Sequence, residues 1–163
     1  MAAAQSDDQL VVFSLRGEHY ALPITAVQEI IHYMPPGATA AASGLIRGMI
    51  NLRGKLLPVV DLSPRVGGEL EVGASTRILV VEVSGGALGV IVDAVDGIER
   101  IAAEQIEELP AAAKRELGEQ IAAVGDRLIV LIDAERALGH LLPARKPPAR
   151  RRRTTPARPR ASS

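Results

Sequence analysis

The chain has 163 residues, 47% of them hydrophobic, 23% charged and only 2% aromatic, which suits one ordinary domain and excludes a fibrous, collagen-like or wholly disordered protein. Its formal net charge is zero, from 19 Lys plus Arg against 19 Asp plus Glu, yet the signs are segregated. Residues 143–163 hold eight cations (Arg145, Lys146, Arg150, Arg151, Arg152, Arg153, Arg158 and Arg160) and no acid, so the first 142 residues carry 11 positive and 19 negative charges, a net of −8.

Zero cysteines exclude a disulfide framework, a thiolate metal site and a cysteine nucleophile. Residues 1–9 are small and polar and read as a flexible lead-in without the features of an export signal. No apolar run approaches the roughly 18 residues of a membrane span, so a cytoplasmic protein without membrane insertion is expected.

From Leu10 onward, short apolar runs are separated about every eight to twelve residues by turn residues, the pattern of an all-β sandwich or barrel. Leu10 to Leu15 and Tyr20 to Ile24 read as a hairpin around Arg16-Gly17-Glu18. Val27 to Met34 fits helical spacing as well as a bent strand, and periodicity alone leaves both open. A second hairpin joins Met49–Leu52 to Leu56–Leu62 through Arg53-Gly54-Lys55, where glycine supplies a positive φ. Pro58 lies inside the return strand and cannot donate to a ladder, which predicts an edge strand or a position turned away from a neighbour. Three further strands follow at Ile78–Val83, Leu88–Val95 and Leu128–Ile132, with the polar stretch Glu104–Gln120, broken by Pro110, read as a connection containing a helical turn or two. A short helix then starts at an Asp133 N-cap, exits at Gly139 and is stopped by Pro143. Residues 143–163, with five prolines and eight cations, cannot bury enough surface to offset ordering and read as a disordered basic tail.

Catalytic constellations find no support. Gly48 and Gly54-Lys55 superficially suggest a phosphate loop, but five residues separate the glycines, Leu56 stands where a Mg²⁺-binding hydroxyl is required, and the segment reads as a hairpin. Asp93 and Asp96 fall on opposite faces of a strand and read as a strand end followed by an Asp-Gly turn. His19, His32 and His140 have no partner at ligand spacing, and no serine sits in a nucleophile elbow. No enzyme activity, cofactor or metal is therefore expected. Arg53 and Lys55 taken alone are solvated cations at a hairpin tip, and Glu29 is a solvent-facing acid on a half-buried element.

The block Gly44-Leu-Ile-Arg-Gly-Met-Ile-Asn-Leu-Arg-Gly-Lys-Leu-Leu-Pro-Val-Val-Asp-Leu62 resembles the CheW family of chemosensory adaptors. So do Val12-Phe13-Ser14-Leu15 with Tyr20-Ala21-Leu22-Pro23-Ile24, the segment Val27-Gln28-Glu29-Ile30, and the later runs Leu88–Val95 and Gly125–Asp133, all in the same order. The resemblance implies two five-stranded SH3-like β-barrels sharing a hydrophobic interface within residues 10–142. The first barrel would span about 17–72, and the second about 73–139 plus part of strand one. It also implies a non-catalytic adaptor that couples methyl-accepting chemoreceptors to the histidine kinase CheA in membrane-associated arrays, with other CheW-like proteins as further partners. Carried over by motif, Val27, Glu29 and Arg53 would face the receptor; no residue is matched to the kinase interface. The basic tail has no counterpart in the resemblance. An alternative reading makes the chain an anion or nucleic-acid binder acting through that tail, although a lone tail without interleaved aromatics carries no specific nucleic-acid signal. A third option folds the tail back over the acidic domain or onto acidic lipid headgroups.

Overall fold

The computed structural model describes residues 8–37, 44–110 and 118–142. The fold is mainly β. Among the described residues, eleven strands run in the order β1 (Asp8–Leu15), β2 (Glu18–Pro23), β3 (Val27–His32), β4 (Ile46–Leu52), β5 (Lys55–Asp61), β6 (Arg77–Val83), β7 (Gly86–Val92), β8 (Ala94–Ile101), β9 (Ile106–Glu108), β10 (Gln120–Val124) and β11 (Arg127–Leu131), and one short helix, α1 (Ala134–Leu138), follows. They form a six-stranded sheet, β8-β1-β2-β11-β10-β9, and a five-stranded sheet, β3-β6-β7-β5-β4.

Strand membership does not follow chain halves. β6 and β7 pair in the sheet that holds β3 to β5, while β2 lies between β1 and β11. The parallel pairs β5/β7 and β2/β11 make these crossings. The two expected five-stranded SH3-like barrels correspond to these two sheets, one with six strands and one with five, whose ladders are open between β8 and β9 and between β3 and β4 among the described residues. In the smaller sheet the gap is spanned by one bridge, in which Gly37 N donates to Met49 O at 2.8 Å and Met49 N to Gly37 O at 3.2 Å.

The period-2 alternation of a strand explains how these sheets share an interior. On β1, Val11, Phe13 and Leu15 enter a central core, whereas Leu10 and Val12 enter a separate core with Ala21, Ile101, Ala122 and Ile129. On β6, Leu79, Val81 and Val83 join the same central core, while Ile78 and Val80 pack with Ile50, Leu57, Val59 and Ile91 on the far side of the smaller sheet. The central strands are covered on both faces, which is why they read as unbroken apolar runs. Phe13 and Tyr20, opposite one another in the β1/β2 register, stack in the central core with ring centroids 6.1 Å apart.

Several local expectations change. Val27–His32 is a strand, and the run Leu88–Val95 is cut at Asp93, with Ala94 opening the separate strand β8. Asp96-Gly97 is not a turn: β1 pairs Val12 with Gly97 and Phe13 with Val95, leaving Asp96 as the extra residue of a β-bulge. The stretch read as a connection contains a 3₁₀ turn (Ala103–Gln105), β9 and the first residue of β10; these strands are short and largely exposed, so their alternation is weak. The first strand begins at Asp8, two residues earlier than read. Pro58 lies in an internal strand, but the ladder from β5 to β7 begins at Val59, one residue beyond the missing N–H. Asp133 caps α1, its Oδ1 accepting from Arg136 N at 3.2 Å, whereas Gly139 stays right-handed (φ −59°) and leads into a further 3₁₀ turn. The basic tail, residues 143–163, lies outside the described residues.

Candidate functional site

The β4/β5 hairpin is closed by a two-residue turn in which both Arg53 (φ 51°) and Gly54 (φ 87°) are left-handed, flanked by the Leu52–Lys55 pair. This is the backbone twist that matches two antiparallel strands. Asn51 supports it, its Oδ1 accepting from Gly54 N at 2.8 Å. Glycine takes the second position without cost, but arginine at the first costs on the order of 1–2 kcal/mol.

The strained turn aims Arg53 across the sheet opening. Its guanidinium pairs with the Glu29 carboxylate on β3, so one ion pair joins terminal strand β3 to the turn that follows the other terminal strand, β4. The Arg53 side chain is 65% exposed and that of Glu29 33% exposed. Exposed pairs of this kind contribute only about 0.2–1 kcal/mol. Stability alone therefore gives a weak reason for placing arginine there.

Val27 does not join this pair. A bulge on β3 sets Val27 opposite Val81 and Glu29 opposite Val80. Residues opposite one another in a ladder point to the same side, and Val81 belongs to the central core whereas Val80 belongs to the far core. Val27 is accordingly half-buried at the rim of the central core, and Glu29 faces the other side of the strand. Of the three residues singled out in the sequence, Glu29 and Arg53 meet directly. Val27 lies two residues away on the opposite face of the same terminal strand.

Two exposed apolar side chains, each a neighbour in sequence of this site and facing the side of the sheet away from Glu29, escaped the sequence reading. Ile30 on β3 is 41% exposed and Leu56, next to the hairpin tip, is 67% exposed. A signal existed for Leu56: its neighbour Leu57 is buried in the far core, and adjacent strand residues point to opposite faces. The carboxylates considered as a chemical pair have separate structural duties. Asp93 Oδ2 accepts from Arg16 N at 2.6 Å and secures the β1/β2 turn, whereas Asp96 Oδ2 meets His19 Nδ1 at 2.9 Å. His19 thus does have an acidic neighbour, brought to it by topology across 77 positions.

The CheW-like domain family model matches residues 9–141. The chain belongs to this family. It is 30% identical to the Bacillus subtilis (strain 168) protein called chemotaxis protein CheW over 141 residues, covering 84% of this chain and 90% of that one. The corresponding figures for the probable chemotaxis protein CheW of Rhizobium etli are 32% over 135 residues, 80% and 87%. Among solved structures, the scaffolding protein TtCheW from Thermoanaerobacter tengcongensis superposes with a TM-score of 0.72 at 36% identity, covering 78% of this chain and 89% of that one. In this CheW-like domain the V-Q-E-I segment is β3 and the L-R-G tip is the β4/β5 turn. The two motifs, 24 positions apart, meet through Glu29 and Arg53.

Proposed function

We propose that this CheW-like chain is a non-catalytic chemotaxis adaptor that couples methyl-accepting chemoreceptors to the histidine kinase CheA, and that it is recruited to membrane receptor arrays through those partners. The match of residues 9–141 to the family is the observation that carries this reading. β3 is a terminal strand with an edge unpaired among the described residues, bearing half-buried Val27 on one face and the Glu29–Arg53 pair on the other. A receptor helix laid along that edge packs apolar positions against Val27 and the exposed Ile30, while the charge pair fixes its orientation. The strained backbone at Arg53, unexplained by an exposed ion pair, supports a recognition role for this residue.

Contacts of this size are individually weak, and an array of many copies makes them effective together. Other CheW-like proteins fit the same scheme as additional neighbours. The test is co-sedimentation with receptor-containing membranes and kinase, comparing the natural chain with the double variant Arg53→Glu, Glu29→Lys. The variant keeps an ion pair of reversed polarity, so a fold defect is not expected. Loss of recruitment supports the receptor face proposed here, and normal recruitment removes it.

A further inference from the structure

A cavity of about 750 Å³ opens beside α1, between that helix, the end of β2 and the β9/β10/β11 side of the six-stranded sheet. Its volume falls within the roughly 300–1,000 Å³ typical of ligand pockets. The floor is apolar, with Leu10, Ile101, Ile106 and Leu131 among its lining, but the rim is acidic: Glu82, Glu108, Glu119, Asp133 and Glu135 against the single cation Arg136. Arg136 is already taken by Glu119, Nη2 to Oε2 2.7 Å, and that hydrogen bond raises its pKa further. Glu135 accepts from Ser84 N at 2.6 Å and Ser84 Oγ at 2.9 Å. Glu82 and Glu108 have no ion pair or hydrogen bond from their side chains among the described residues.

The chain itself supplies a complementary segment at this rim. The 3₁₀ turn after α1 delivers Leu142 against Gly85 and Gly86, in the same β6/β7 turn whose Ser84 is held by Glu135. Arg145 and Lys146 follow Leu142 by three and four positions, a reach of roughly 10–14 Å, and the seven residues 143–149 span at most about 25 Å before Arg150 to Arg153. Those spans are long enough for the cations to reach the cavity.

We infer that this acid-rimmed groove is a binding site for an arginine-rich peptide, and that its occupant is the chain's own segment 143–163. Guanidinium groups pair with Glu82 and Glu108, and the aliphatic stems of the arginines lie on the apolar floor. Each exposed pair is weak, but tethering makes the encounter intramolecular and raises the effective concentration of the segment. The docked segment shields the acidic rim, and a more strongly acidic or more concentrated competitor for the arginines releases it.

The experiment uses the full chain, whose lack of cysteine lets Ala157→Cys carry a single spin label. At about 0.01 M salt, where the Debye length is roughly 30 Å, the amide signals of Ile106 and Glu108 should fall at least about twofold in intensity relative to those of β4. At about 0.5 M salt, or in the Glu82→Gln, Glu108→Gln variant, the effect should largely disappear while the remaining amide spectrum stays unchanged. Uniform broadening, broadening centred on another face, or none at low salt overturns the inference. So does broadening that appears only when spin-labelled and isotope-labelled chains are mixed, which would assign the groove to a second copy's segment.

Discussion

Arg47 reaches from an exposed position on β4 to the buried carboxylate of Asp61, Nη2 to Oδ2 3.1 Å. The other oxygen, Oδ1, accepts from Ser63 N at 2.9 Å and so anchors the 3₁₀ turn Ser63–Val66 that leaves the smaller sheet. An unpaired buried charge is expensive, so Arg47→Ala should destabilise the fold by about 1–3 kcal/mol even though Arg47 itself is solvent-exposed. Urea titration measures this, and Arg47→Lys should recover only part of the loss because lysine lacks the planar fork.

The opening between β3 and β4 should be equally sensitive at Gly48. A Cβ there would collide with Gly37 O, and the residue holds φ 152°. Gly48→Ala should therefore break the Gly37–Met49 bridge and cost on the order of 3 kcal/mol. Gly73→Ala is the control, since a Cβ at that position meets nothing within 4 Å. Its effect should stay within about 0.5 kcal/mol by thermal or denaturant unfolding.

Large-to-small changes in the three cores should be felt by the whole domain. Leu79→Ala in the central core and Ile78→Ala in the far core are adjacent on β6, and each should cost about 2–5 kcal/mol. Both variants should still unfold in a single transition when followed by circular dichroism and by amide exchange, because the same strands floor both cores. Two separated transitions would show that the sheets are independently stable.

At Arg53 stability and recruitment should part company. Arg53→Gly relieves the left-handed strain of about 1–2 kcal/mol and removes an ion pair of about 0.2–1 kcal/mol, while glycine's larger unfolded entropy returns about 0.5–1 kcal/mol. The net stability change should lie between a loss of about 1 and a gain of about 1.3 kcal/mol on these figures, whereas co-sedimentation with receptor membranes should drop. A large loss of stability would instead make the residue a structural clasp.

The two hairpins and the strands β6, β7 and β11 were readable because continuous apolar runs bounded by Gly turns leave little room for another assignment. The faces were harder to read. Val11, Phe13 and Leu15 alternate with Leu10 and Val12 in the sequence, but that two cores, one on each side, would make both sets buried depends on parallel pairings between strands distant in sequence. β8, β9 and β10 were hidden by polar residues on their exposed faces. At the candidate site, the motifs located Glu29 and Arg53, and the turn chemistry anticipated one of the two positive φ angles. The β3 bulge, which turns Val27 away from Glu29, leaves no mark in spacing: an unbroken strand would have put both on one side.

The neighbours Val11 and Val12 belong to different cores, as do Leu79 and Val80. A close-packed interior of this kind has low compressibility and transmits strain. Displacing the backbone on one side drags side chains on the other. A load on one core of the described domain is therefore passed to the next rather than dissipated between them.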